Sequence, residues 1–109
     1  MRILTNELAR KLAKHPFGSN DNGMDSEVIV KIFDPYGDST WLITEAEKQE
    51  DGDWLLYGYC YMFEWEWGYV SLRELEGVRV GYGGYDTRLE RDLWAHGTVK
   101  QMLSLDYNI

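Results

Sequence analysis

Trp54-Leu55-Leu56-Tyr57-Gly58-Tyr59-Cys60-Tyr61-Met62-Phe63 is the stretch on which the fold turns. It is apolar on both alternating faces and rich in aromatic residues, the pattern of a strand buried from two sides. Gly58 in its middle signals a bulge or a close approach of another backbone. Downstream, Glu64 to Tyr69 alternates charge with aromatic and reads as a partner or edge strand. Upstream, the acidic turn Glu50-Asp51-Gly52-Asp53 leads back to Thr40 to Thr44. Asp34-Pro35-Tyr36-Gly37-Asp38 then reverses that strand from Glu27 to Phe33.

Around these hairpins lie helical signals. Leu4, Leu8 and Leu12, with Ala9 and Ala13, make one apolar stripe behind a Thr5 cap, and His15-Pro16 ends it. Ser71-Leu72-Arg73-Glu74 is a capping box for a short helix to about Glu76, and Val78 to Val80 reads as a short strand. Gly81 to Tyr85 is a glycine-rich loop, and Thr98 to Leu103 has helical spacing behind a Thr98 cap. The expectation is a single α+β domain over residues 1–109. Its mainly antiparallel sheet has four or five strands, with the N-terminal helix and short helices packed on one face.

The net charge is −8, from nineteen acidic against eleven basic residues. From Asp34 to Glu66 nine acids stand against Lys48 alone. Such a surface repels phosphate backbones, so no direct nucleic-acid binding is expected. No run approaches the roughly 18 apolar residues of a membrane span, and the N-terminus lacks the apolar core of a signal peptide. With Cys60 the single cysteine, no disulfide can form within the chain, and the cytoplasm is the expected compartment.

Three groups of residues could carry function. Tyr57, Tyr59, Tyr61, Trp65 and Trp67 share one strand parity and could form an aromatic binding face, since Tyr and Trp dominate interface hot spots. Glu45, Glu47, Glu50, Asp51 and Asp53 make a candidate acidic face, although their spacing matches no calcium loop and no metal or cofactor is expected. Glu90, Arg91, Asp92 and His96 make a candidate polar pocket, in which Arg91 could hold an anionic group. Two histidines and one cysteine, far apart in sequence, form no catalytic set. Gly81-Tyr82-Gly83-Gly84 lacks the spacing of a phosphate-binding loop.

Four blocks, in order, carry a family resemblance. They are Thr40-Trp41-Leu42-Ile43-Thr44-Glu45, Glu50-Asp51-Gly52-Asp53-Trp54-Leu55-Leu56-Tyr57-Gly58-Tyr59, Gly68-Tyr69-Val70-Ser71-Leu72-Arg73-Glu74-Leu75-Glu76 and Leu89-Glu90-Arg91-Asp92-Leu93. With Leu4-Thr5 they span nearly the whole chain and resemble the bacterial and phage family known as domain of unknown function 2958. The resemblance implies a short accessory protein of plasmids, integrative elements or phages, and brings no activity and no catalytic residues with it. The stretch from Val80 to Arg88 and the bulky Trp65 and Trp67 depart from its pattern.

The leading expectation is a non-enzymatic protein, a monomer or weak homodimer, that binds another protein. In a sharper form the acids imitate DNA phosphates and inhibit a nuclease or defence system. The alternative is a small ligand-binding domain or enzyme around Glu90, Arg91, Asp92 and His96.

Overall fold

Thr5, itself extended backbone, caps a helix, its Oγ1 accepting the Leu8 N–H at 3.1 Å. That helix, α1, runs over Asn6–Ala13 and buries Leu8 and Leu12. The computed structural model describes residues 3–81 and 87–107, with only the backbone described at 105–107. Its strands are β1 (Val30–Phe33), β2 (Thr40–Lys48), β3 (Trp54–Tyr61), β4 (Trp65–Ser71), β5 (Arg79–Val80), β6 (Thr87–Arg88) and β7 (Glu90–Arg91). Two further helices, α2 (Leu72–Gly77) and α3 (Val99–Tyr107), complete an α+β fold.

Five strands form one antiparallel sheet in the order β4-β3-β2-β1-β7, and β5 pairs with β6 apart from it. The hairpins expected from the acidic turns are therefore present, with shifted ends. The first strand begins at Val30 rather than Glu27, and β2 continues four residues past Thr44. The preceding segment still touches the sheet, where the Ile29 N–H donates to Ile43 O, but Glu27 is drawn away to bridge Thr98.

Register explains why β2 is buried from Trp41 through Ala46. Ile43 faces Gly58, and Glu45 faces Tyr57, so Thr44 is an extra residue in β2. Such a bulge reverses the alternation beyond it. Trp41, Ile43 and Ala46 then share one face with Trp54 and Leu56 of β3, while Leu42 and Glu45 point to the other. Gly58 makes room for the irregular backbone, as its position in the strand suggested. A Cβ there would collide with the Leu42 carbonyl and the Ile43 Cα.

The helices do not all pack on one face, which corrects the expectation. Leu8 and Leu12 of α1 and Leu72 and Leu75 of α2 join Ile32, Trp41, Ile43 and Leu56 in the main core. Val99 and Met102 of α3 pack with Val28 and Leu42 on the opposite face. Periodicity identifies an apolar stripe on a helix but not the side of the sheet that receives it. The caps are as read from the sequence. Ser71 Oγ accepts the Glu74 N–H, and Thr98 and Gln101 form a reciprocal box at the start of α3. The Leu4 N–H donates to Glu76 Oε2 at 3.1 Å, fastening the segment before α1 to α2. From residue 82 to 85 the expected glycine-rich loop lies outside the described residues. Among the described residues no helix is long and apolar enough to cross a membrane.

Candidate functional site

In β3 and β4 the odd-numbered residues share the face opposite the main core, and direct register partners are aromatic three times in succession. They are Tyr57 with Tyr69, Tyr59 with Trp67, and Tyr61 with Trp65. Diagonal neighbours complete a ladder, with Tyr57 stacked on Trp67 at 5.7 Å and Tyr59 stacked on Trp65 at 5.1 Å between ring centroids. Phe17 extends it edge-on against Tyr69 at 5.5 Å. Cross-strand aromatic pairs are the contacts that hold two strands in register.

This face is neither sealed nor bare. Tyr59, Trp65 and Trp67 pack against the cluster of Val28, Leu42 and α3. The other sides of these rings remain half-exposed, and Tyr69 is 64% exposed at the edge of the sheet. Burial, then the neighbouring Tyr69, Asp21 and Glu45, hold the Tyr57 hydroxyl above its ordinary value of 10.0, so that hydroxyl is uncharged at neutral pH.

The acids do not form one surface. Glu45 is only 4% exposed, because the bulge at Thr44 turns it under the loop that follows α1. Its Oε2 accepts the backbone N–H groups of Gly18 at 2.9 Å and Asn20 at 2.8 Å, which fixes that loop beside the ladder. Asn20 continues the anchoring by donating to the carbonyls of Glu27 and Thr44. Asp53 accepts from the Ser71 hydroxyl and the Arg73 N–H at the start of α2. Burial pushes its carboxyl up, but these bonds, the Trp54 N–H and the Arg73 charge outweigh that and hold it below 3.8. Asp51 pairs with Arg73 at 3.6 Å. Glu47 and Glu50 are left as exposed acids of this group. Among the described residues no three His, Cys, Asp or Glu side chains converge as metal ligands.

Around β7 the candidate polar residues come together only in part. Arg91 lies opposite Ile32 on the α1 side, where it lines a cleft of about 100 Å³ with Asp92, Glu7 and Lys11, and its Nε is buried without a hydrogen-bond partner. Glu90 is exposed and points to the other face of the same strand. Asp92 Oδ1 accepts the Trp94 N–H, while His96 lines a broad hollow of about 760 Å³ beside Thr98 and Gln101. Cys60, on the core side of β3, is pushed up to about 12 by burial and then by Glu66, which leaves it a protonated thiol.

One cavity was not anticipated. At the turn end of the ladder a pocket of about 530 Å³ opens between Tyr61, Trp65, Phe33 and the β1–β2 turn. The signal for it was present in the two acids of Asp34-Pro35-Tyr36-Gly37-Asp38, but only the register of three strands brings that turn beside Tyr61.

Neither a curated protein nor a solved structure matches this chain. Residues 3–105 match the model of a family described as protein of unknown function (DUF2958), and the chain belongs to that family.

Proposed function

We propose that this protein acts without chemistry of its own, by binding a partner protein through the aromatic ladder of β3 and β4. The observation that carries this reading is the run of three consecutive aromatic register pairs, half-exposed beside the free edge of β4. Rigid aromatic side chains lose little conformational entropy on binding and contribute most where they are partly desolvated already. A ladder needed only for packing would be covered. Here α3 covers one flank and leaves the other open. The role is that of a cytoplasmic accessory protein of a bacterial mobile element or phage. Imitation of DNA has less support, because Glu45, Asp51 and Asp53 are engaged within the fold.

The test is capture of partner proteins from a host lysate by immobilised wild type and by Trp67→Ala and Tyr69→Ala, with thermal unfolding confirming that each variant is folded. The wild type should retain a defined protein that both variants lose by at least tenfold, while Glu47→Lys with Glu50→Lys keeps it. Equal retention by the folded ladder variants would end this reading.

A further inference from the structure

Resting on that reading, we infer that the pocket at the turn end of the ladder receives an arginine or lysine side chain of the partner protein. Its walls are of two kinds. Three rings, Phe33, Tyr61 and Trp65, supply aromatic surface, and Tyr61 and Trp65 meet at 5.4 Å with a tilt of 46°, giving a concave corner. Three carboxylates, Asp34, Asp38 and Asp92, stand around the same space, against the single ammonium of Lys31. Aromatic faces and carboxylates attract the same kind of ligand, a cation on an apolar stem.

Two of the carboxylates are held in place by their own turns. Asp34 Oδ1 accepts the Tyr36 N–H at 2.8 Å, and Asp92 Oδ1 accepts the Trp94 N–H at 2.9 Å. In each the Oδ1 bond fixes the orientation of the side chain. An anionic ligand would meet three like charges, and a purely apolar one would strand them without water. The two turns at this end of the sheet expose Tyr36, Met62 and Phe63, the last of these 94% exposed. Aromatic walls beside carboxylates exclude water from an ion pair formed between them, which is the setting in which one charged anchor can dominate an interface.

The experiment titrates N-acetyl-arginine amide into the full chain and follows the Trp65 indole and the Phe33 and Asp38 amides by NMR. The uncharged N-acetyl-norleucine amide and putrescine are run in parallel. Saturable shifts confined to these positions are expected, weakened at least threefold by Asp38→Asn and by Asp92→Asn. Asparagine retains the oxygen that accepts from Trp94, so the second variant keeps its turn. No shifts, equal shifts with the norleucine amide, or tighter binding of putrescine would overturn the inference. Asp38→Asn leaves every ring in place. Absence of arginine binding by the wild type, while the ladder variants still lose their partner, would remove the pocket and leave the aromatic face standing.

Discussion

A Cβ placed on Gly58 would lie 2.0 Å from the carbonyl oxygen of Leu42, closer than any side-chain carbon can approach a backbone atom. The obstacle is backbone in the middle of the sheet, so it cannot swing aside as a side chain could. Gly58→Ala should therefore cost more than about 3 kcal/mol of stability. Its register partner Gly68 has nothing within 4 Å of the same position. Gly68→Ala should change stability by less than about 1 kcal/mol, and in the favourable direction if the lost unfolded-state freedom dominates. Urea unfolding of the two variants side by side decides this, and similar midpoints would refute the close approach.

Asp53 should make stability depend on pH at the acid end. Its folded value lies below the ordinary 3.8. A depressed carboxylate contributes its stability fully above the unfolded value, and loses it as pH falls through the folded one. Asp53→Asn should cost about 1–2 kcal/mol at pH 7, and the gap to wild type should close progressively below about pH 4. Unfolding curves at pH 7, 4 and 2.5 would show it, whereas a constant gap would mean that the charge on Asp53 contributes nothing.

Cys60, pushed up to about 12, should resist thiol reagents in the folded protein. At pH 8 its thiolate fraction is lower than that of an ordinary cysteine by roughly a thousandfold. Labelling with a chromogenic disulfide should be slower by at least that factor in buffer than in denaturant. Fast labelling of the native chain would place the thiol in solvent and contradict the packing of Cys60 against the main core.

Much of this architecture was legible in the sequence because its signals are local. Thr5, Ser71 and Thr98 cap helices through bonds spanning three residues, and each was readable as a cap. The aromatic face was readable too, since strand parity alone puts Tyr57, Tyr59, Tyr61, Trp65 and Trp67 on one side. What escaped depends on registration between distant segments. Nothing in Thr44-Glu45-Ala46 announces an extra residue, so Glu45 read as part of an acidic surface rather than as the buried anchor of Gly18 and Asn20. The side on which α3 packs is set by the Glu27–Thr98 bridge, a contact between segments some seventy residues apart. The pocket at Trp65 needed the β1–β2 turn to fall beside the end of β3, which no single strand encodes.

The extra residue at Thr44 and the missing side chain at Gly58 are two halves of one device. It ties the length of β2 to the residue at 58. Deleting Thr44 would restore simple alternation with Glu45 still opposite Tyr57 and Ala46 still opposite Leu56, so the loop held by Glu45 would keep that anchor. Such a deletion would also remove the reason for glycine at 58. Relatives shortened at this point should therefore be free of the need for glycine opposite, whereas a single-residue insertion or deletion elsewhere in this hairpin, which reverses the side chains beyond it, should be far harder to accommodate than most substitutions on its surface.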